Sequence, residues 1–256
     1  MNLTKYVDVH SHITDDRYED VGLVVERAKE AGVEQMICSA YNFYSSLEAI
    51  KLSQKYDNVF ANVGIHPENT NEIEEDTLIL IEELAKEEKV VAIGEIGLDF
   101  HREGFNKELQ KKYFKSQIEL ANRVKKPIVV HSREAMGETI EILKNNPVCK
   151  ESVIHCFSGS VESAKILLDL GFSFSIGGVV TFKNAKTLPE VVKFLPIEKI
   201  LLETDCPYMA PVPFRGKTNE PKNVVYVADE IARLKGMSIE NVAFFTTKNA
   251  KRIFGI

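Results

Sequence analysis

The chain has 256 residues, of which 44% are hydrophobic and 27% are charged, so its composition is that of an ordinary folded protein. This length allows a large buried core, and a single α/β barrel takes about 200 to 250 residues. The net charge of −6 argues against a general nucleic-acid coat, which needs a basic surface, but does not exclude a nuclease that holds phosphate in one local pocket.

The sequence lacks the marks of a membrane or secreted protein. No apolar run approaches the roughly 20 residues that a membrane helix needs, and no signal-peptide core precedes Asp8. The four cysteines are scattered without a Cys-x-x-Cys pair, which favours reduced thiols. These features predict a cytoplasmic protein with no membrane partner.

Short apolar, β-branched runs recur along the chain, and each is followed by a turn and then a segment with helical periodicity. The predicted strands are 6–9, 35–38, 59–63, 90–93, 127–130, 152–154, 172–176 and 200–202. The predicted helices are 21–31, 44–55, 73–88, 107–124, 138–144, 161–170, 189–194, 223–234 and 239–253. Gly32 and Gly171 follow two of these helices directly, as is common at helix ends.

Strands that alternate with helices imply βαβ units, and eight such units suggest a closed barrel. Most of the strands are continuously apolar, as expected for parallel strands that are covered on both faces. The predicted fold class is therefore α/β, a single-domain (β/α)8 TIM barrel over residues 1–256, because no linker or repeat divides the chain. A doubly wound open sheet is the alternative, since alternation alone does not prove closure.

Two histidines lie at the end of the first predicted strand. On a strand, the spacing of His10 and His12 puts both imidazoles on one face, where they can share a metal ion. His-x-His is a common pattern, so the pair alone leaves a structural role open. Five of the six histidines, together with Glu95 and Asp205, fall at or just past strand ends: His10, His12, His66, His131 and His155. In a parallel barrel these ends meet on one face, where active sites form.

This donor set fits two metal ions better than one. The predicted ligands are His10, His12 and Asp205 for the first ion, and His131 and His155 for the second. Glu95 could bridge the two ions. Two ions about 3.5 to 4 Å apart can hold a hydroxide and polarise the bond that it attacks. The mixed nitrogen and oxygen ligands admit Mg, Mn, Zn or Co.

Two further carboxylates are predicted to lie on the same strand faces as predicted ligands. Asp8 lies two residues before His10, and Glu203 lies two residues before Asp205, so each shares a strand face with that ligand. Both are therefore expected to point inward and orient these ligands. A buried structural partner is the alternative for Glu203.

Several short motifs follow one another in a fixed order. They are DVHSH at 8–12, GIHP at 64–67, GEIGLD at 94–99, PIVVHSR at 127–133, HCFSG at 155–159, ETDCP at 203–207, RG at 215–216 and NEP at 219–221. In this order they resemble the signatures of the TatD family of metal-dependent deoxyribonucleases, which are amidohydrolase-type metal barrels. The chain shows no departure from the family pattern at a ligand position.

The resemblance implies metal ligation by His10, His12, Glu95, His131, His155 and Asp205. It also implies a substrate-binding role for His66, Arg133, Arg215 and Asn219. From the residues alone, His66 could instead cap a turn, and Arg133 could instead form a surface ion pair. Members of the family are Mg-dependent DNases, often 3′-to-5′ exonucleases on single strands, so the implied substrate is DNA, single-stranded or at its ends.

The favoured function is a phosphodiesterase in which a metal-bound hydroxide attacks phosphorus, with Asp205 and Glu95 as the catalytic carboxylates and Asp205 as the proton acceptor. Basic residues predicted near the barrel mouth favour a polyanion: Arg102, Lys111, Arg133, Arg215 and Lys217. One alternative is a hydrolase of a carbon centre (an amide, lactone or ester), because the same ions and water serve there. A metal-dependent scaffold without turnover is the third hypothesis, and intact ligands argue against it.

Overall fold

The computed structural model of the protein describes residues 4–74, 76–101 and 104–256. Its strands are β1 (Tyr6–Ser11), β2 (Val33–Ser39), β3 (Val59–Val63), β4 (Val90–Asp99), β5 (Ile128–Arg133), β6 (Val153–Ile154), β7 (Ser173–Ile176) and β8 (Ile200–Leu202). Its helices are α1 (Val21–Glu30), α2 (Phe43–Lys55), α3 (Thr77–Leu84), α4 (Lys107–Val124), α5 (Met136–Asn145), α6 (Val161–Asp169), α7 (Thr187–Phe194), α8 (Val224–Lys235) and α9 (Ile239–Phe254). None of these helices is both long enough and apolar enough to cross a membrane.

The strands form one eight-stranded sheet in chain order, from β1 to β8. The pairs β1–β2, β3–β4, β4–β5, β5–β6 and β7–β8 are all parallel. A parallel bridge also joins Ser11, at the end of β1, to Cys206, which follows β8. The first and last strands are therefore neighbours, which confirms the predicted (β/α)8 barrel fold class and excludes the open doubly wound sheet.

Contacts divide the chain into two compact units. The first unit comprises Met1–Cys38, Cys156–Ala164 and Phe174–Ile256, and the second comprises Ser39–His155 and Lys165–Ser173. The single domain predicted for residues 1–256 stays a prediction.

In the first unit, α9 packs against β1 and β8, and β1 is buried along its whole length. The apolar side of α9 supplies core residues: Val242, Ala243, Ala250, Ile253 and Phe254. Asn249 on the same helix donates hydrogen bonds to the carbonyls of Ile197 and Ile200, both at 2.8 Å. These bonds satisfy backbone acceptors where β8 begins.

In the second unit, α4 packs against β4, all of whose residues are buried. Gly97 on β4 has a φ of +141°, and a Cβ atom there would lie 2.0 Å from the carbonyl oxygen of His131 on β5. Only glycine fits this conformation and this approach. Gly97 therefore allows β5 to pair closely with β4 beside His131.

The helix predicted over 73–88 is wrong at both ends, because the structure has a 3-10 turn at Pro67–Glu72 and a shorter helix, α3. A local turn accounts for the late start. The N–H of Glu74 donates to the Thr77 hydroxyl at 3.0 Å, and the N–H of Thr77 donates to the Glu74 carbonyl at 3.1 Å. These bonds take the place of a helical turn before Thr77.

Candidate metal centres

In the first unit, His10 and His12 lie together at the end of β1, as their spacing predicts. Their Nε2 atoms are 3.3 Å apart, and both residues are buried. The Oδ1 atom of Asp205 lies 3.8 Å from Nε2 of His10 and 3.5 Å from Nε2 of His12. Two imidazole nitrogens and one carboxylate oxygen within 4.8 Å of one another form a donor set that suits a divalent cation. We call these three residues the His10 cluster.

Backbone hydrogen bonds hold Asp205 beside the two histidines. The N–H of Asp205 donates to the His10 carbonyl at 3.0 Å, and the N–H of His12 donates to the Cys206 carbonyl at 2.7 Å. Asp205 has a φ of 52°, in the left-handed region that aspartate tolerates better than most residues. A backbone fixed in this sparsely populated region is typical of functional sites.

Asp8 anchors the residue before Asp205. One oxygen of its buried carboxylate accepts hydrogen bonds from the N–H groups of Thr204 at 2.9 Å and His10 at 3.3 Å, and the other accepts from the Thr204 hydroxyl at 2.6 Å. Burial raises the pKa of Asp8 to about 8, although these hydrogen bonds act in the opposite direction. The prediction that Asp8 orients a ligand fits this geometry. Glu203 is also buried and accepts a hydrogen bond from the Ser175 hydroxyl.

Asn219 also supports the segment that carries Asp205. Its buried amide nitrogen donates to the carbonyls of Thr204 at 2.9 Å and Tyr208 at 2.8 Å. Its amide oxygen accepts from the N–H of Glu220 at 3.0 Å and from the side chain of Asn223 at 2.9 Å. With both amide groups engaged, the geometry of Asn219 favours a positioning role, and its contact with substrate stays a prediction.

In the second unit, Glu95 lies on β4, which continues to Asp99, well beyond the predicted end at residue 93. The Oε1 atom of Glu95 is 2.8 Å from Nδ1 of His131 and 2.9 Å from Nε2 of His155. Glu95 and His155 are both buried. The three ligand atoms lie within 4.8 Å of one another and again combine two imidazoles with one carboxylate. We call these residues the Glu95 cluster.

Asp99 orients His131, a role that sequence reasoning missed. Its Oδ2 atom lies 2.9 Å from Nε2 of His131, which leaves Nδ1 of the same ring facing Glu95. Burial opposes the charged form of His131, but the hydrogen bonds with Asp99 and Glu95 outweigh it and raise the pKa of His131 to about 9. Burial also opposes ionisation of Asp99, yet its contacts with His131 lower the pKa of Asp99 below the ordinary value. The sequence offers one signal for this role: Asp99 lies four residues after Glu95, and residues four apart on a strand share one face.

Two glutamines of α4 hold segments that carry site residues. Gln110 accepts from the N–H of Asp99 at 2.9 Å and donates to its carbonyl at 3.0 Å. Gln117 forms the same pair of bonds with Ile65, the neighbour of His66, at 2.8 and 3.0 Å. Both glutamines are fully buried and lie two turns apart, on one side of the helix. Sequence reasoning missed both.

His66 caps a turn, as one interpretation of the sequence allowed, and it also lies beside the Glu95 cluster, while its contact with substrate stays a prediction. Its Nδ1 atom accepts a hydrogen bond from the N–H of Glu68 at 3.2 Å and so caps the turn that begins at Pro67. Its Nε2 atom lies 3.6 Å from Oε1 of Glu95, and its ring centroid is 4.5 Å from that of His131. The structure therefore places His66 beside the Glu95 cluster.

The basic side chains that the sequence places near the barrel mouth differ in their surroundings. Arg133 ends β5 and is exposed. Lys111 makes ion pairs with two glutamates, which offset its charge locally. Arg215 is exposed, and its guanidinium carbon lies 3.9 Å from the centroid of the Phe182 ring. Arg102 lies outside the described residues.

Comparisons with known proteins cover almost the whole chain. A family model described as "TatD related DNase" matches residues 7–255. The "Uncharacterized metal-dependent hydrolase YabD" of Bacillus subtilis is 44% identical, over 97% of this chain and 98% of the relative. The "3'-5' ssDNA/RNA exonuclease TatD" of Erwinia amylovora is 33% identical, over 97% of this chain and 99% of the relative. The crystal structure of YJJV, a TatD homolog from Escherichia coli, has a TM-score of 0.95 at 28% identity and covers 99% of each chain. The matched range contains every predicted metal ligand.

Proposed function

Because the chain belongs to the TatD-related DNase family and is a metal-dependent hydrolase, we propose that it cleaves phosphodiester bonds of DNA as a 3′-to-5′ exonuclease acting on single strands or ends. The observation that carries the proposal is the pair of donor clusters, each with two imidazoles and one carboxylate. The relative that is named as a 3'-5' ssDNA/RNA exonuclease supports the choice of substrate.

We assign one divalent cation to each cluster. When bound, such cations activate water as a nucleophile and offset the charge that develops on phosphoryl oxygens. Glu95 supplies the carboxylate of its cluster, and Asp205 supplies that of the His10 cluster. Imidazole nitrogens suit Zn²⁺ better than Mg²⁺, which prefers oxygen ligands, so we expect Zn²⁺ to bind more tightly than Mn²⁺ or Mg²⁺.

Asp205 is the proposed proton acceptor. Its side chain is 14% exposed, whereas that of His10 is fully buried, so water can reach the carboxylate. As the attacking water oxygen forms its bond to phosphorus, its proton passes to the Asp205 carboxylate. The phosphorus–oxygen bond of the leaving strand breaks, and the leaving oxygen takes up a proton from solvent water. Arg133 and Arg215 are the proposed phosphate contacts, because both carry exposed guanidinium groups. His66, which lies beside the Glu95 cluster, is a further proposed substrate contact.

The test compares the parent protein with Asp205→Asn on end-labelled single- and double-stranded DNA, supplied with Mg²⁺, Mn²⁺ and Zn²⁺ in turn. We expect turnover to fall about 10²- to 10⁴-fold, the range for loss of a general base. Elemental analysis should show unchanged metal content, because the asparagine amide keeps an oxygen ligand in place of the carboxylate and loses only its basicity. Asp229→Asn is the matched control, because Asp229 is an exposed residue of α8. If Asp205→Asn cleaves DNA at nearly the parent rate, Asp205 is not the proton acceptor.

The same preparations separate the proposal from hydrolysis at a carbon centre. We expect the parent to cleave a simple phosphodiester faster than any member of a panel of lactones, esters and amides. The opposite order of rates would assign the metal chemistry to a carbonyl substrate and overturn the nuclease proposal.

A further inference from the structure

A cleft in the first unit carries positive charge and exposed aromatic surface next to the His10 cluster. Its volume is about 410 Å³. Its walls are formed by Arg17, Phe182, the segment 207–210 and the segment 215–218. We call it the Tyr208 cleft. Among the described residues that line it, three are cationic and none is acidic, in a chain whose net charge is −6.

The cations of the cleft are not equivalent. Arg17 donates to both carboxylate oxygens of Asp15, at 2.7 and 2.8 Å, so its charge is matched locally. Arg215 and Lys217 are exposed, and within the described part of the chain neither makes an ion pair with a carboxylate. These two side chains therefore keep their charge available for an anion that enters the cleft.

Tyr208 supplies a flat surface close to the proposed metal ligands. Tyr208 is 47% exposed. The Tyr208 ring centroid lies 6.1 Å from the ring centroid of His12. The guanidinium carbon of Arg17 lies over the Tyr208 ring, 4.3 Å from its centroid. Tyr208 is therefore a neighbour of the His10 cluster, and a planar group that stacks on it would bind next to that cluster.

Hydrogen bonds fix the segment that presents Tyr208. The Tyr208 N–H donates to the Asp205 carbonyl at 3.0 Å, and the Tyr208 carbonyl accepts from the Asn219 amide at 2.8 Å. The Tyr18 hydroxyl in turn donates to the Asn219 carbonyl. A ring held in advance of binding loses little entropy when a ligand stacks on it.

From these observations we propose that the Tyr208 cleft binds the nucleotides next to the scissile bond of a single strand. One unpaired base stacks on Tyr208, while Arg215 and Lys217 contact the neighbouring phosphates. Exposed aromatic rings beside backbone-tracking cations are the features with which proteins hold single strands without reading sequence. A duplex buries its base faces, so it cannot make the stacking contact. The inference rests on the proposed function and names the surface that selects its substrate.

The test measures binding without catalysis. A short fluorescent oligothymidylate is titrated with protein in EDTA, and its anisotropy gives the dissociation constant. We expect Tyr208→Ala to weaken binding about 5- to 150-fold, the range for loss of one stacked base. Tyr208→Phe keeps the ring and should bind within about 2-fold of the parent. Phe244→Ala is the matched control, because Phe244 is 61% exposed on α9.

Salt dependence tests the two cations separately. For a single strand, log K falls with log salt, and each lost phosphate contact should make this negative slope shallower by about 0.7. We expect this change for Arg215→Gln and for Lys217→Gln, and no change for Lys248→Gln, an exposed lysine of α9. A duplex of the same length should bind the parent more weakly than the single strand does.

The outcomes distinguish this inference from the proposed function. If the parent cleaves DNA but Tyr208→Ala binds the oligonucleotide as tightly as the parent, the cleft assignment is overturned and the nuclease proposal stands. If the cleft variants lose binding but no metal supports cleavage by the parent, the cleft assignment stands and the nuclease proposal fails. Parent protein that does not bind the oligonucleotide at low salt overturns the cleft assignment.

Discussion

The His10 cluster and the Glu95 cluster offer the same kinds of ligand atoms but are fixed in different ways. In the His10 cluster, Asp8 and Asn219 reach the backbone around Thr204 from a neighbouring strand and a loop. In the Glu95 cluster, a helix supplies the support, because Gln110 and Gln117 of α4 bind backbone groups of segments that carry site residues. Both arrangements use buried polar side chains where a strand ends and its own ladder can no longer pair every group.

The difference lies in how many residues each supporting amide binds: Asn219 bonds with four residues, whereas each glutamine bonds with one. Both side-chain oxygens of Asp8 act as acceptors, for the N–H groups of Thr204 and His10 and for the Thr204 hydroxyl. A primary amide both donates and accepts, so Gln110 and Gln117 each pair with the N–H and the carbonyl of one residue, as a neighbouring strand would. The Glu95 cluster should therefore depend more strongly on its helix than the His10 cluster does.

The largest expected effect comes from removing one ligand of each cluster. We expect Glu95→Ala and His10→Ala each to lower bound metal by about one equivalent per chain and to lower phosphodiester cleavage by more than about 100-fold, beyond the range for outer partners of a ligand. Elemental analysis and end-labelled DNA measure the two quantities. Full metal content in either variant would contradict the assignment of that cluster.

Loss of the supporting amides should come next in size. Gln110→Leu and Gln117→Leu each leave a buried N–H and carbonyl without their partner, which should lower the free energy of unfolding by about 2 to 4 kcal/mol. Asn219→Leu removes a side chain that makes four hydrogen bonds and should cost at least as much. Urea unfolding measures each change, with Glu119→Gln at an exposed position of α4 as control, expected within about 0.5 kcal/mol of the parent. A cost no larger than that of the control would show that these amides do not support the fold.

The smallest effect should come from Asp99, which acts on a ligand through its ring orientation. We expect Asp99→Asn to weaken metal binding at the Glu95 cluster about 10- to 100-fold, because the amide holds the His131 ring without a charge. Competition with a chelator measures this affinity, and the affinity of the His10 cluster serves as the internal reference. Equal losses at both clusters would argue for a general loss of structure.

Much of the fold follows from local patterns. The apolar runs predict the strands because parallel strands in the sheet are buried on both faces, and the spacing of His10 and His12 predicts their juxtaposition because a strand alternates its side chains. β4 extends past its predicted end because the residues after Ile93 stay in the ladder although their sequence mixes glycine with charged residues. The apolar periodicity over 73–88 predicts a helix throughout. It does not show that the Thr77 hydroxyl accepts a hydrogen bond from the N–H of Glu74 and forms a turn before the helix begins.

The supporting residues could not be predicted from the chain. Gln110 and Gln117 look like the polar positions of an amphipathic helix, and nothing local shows that each meets an unpaired peptide group. The motif of Asn219 predicts a contact with substrate, whereas its hydrogen bonds depend on where the loop after β8 passes. Such roles are tertiary, since they are set by the backbone that lies opposite in the folded chain.

Gly97 sets how closely β5 approaches β4 at the Glu95 cluster. Its missing side chain lets the His131 carbonyl approach to a separation at which a methyl group would overlap that oxygen. Any larger residue would have to push β5 outward and carry the imidazole of His131 away from Glu95. We expect such a variant to keep its helices and most of its cooperative unfolding but to bind metal weakly at the Glu95 cluster. A substitution at Gly97 would therefore lower metal content in a chain that still folds.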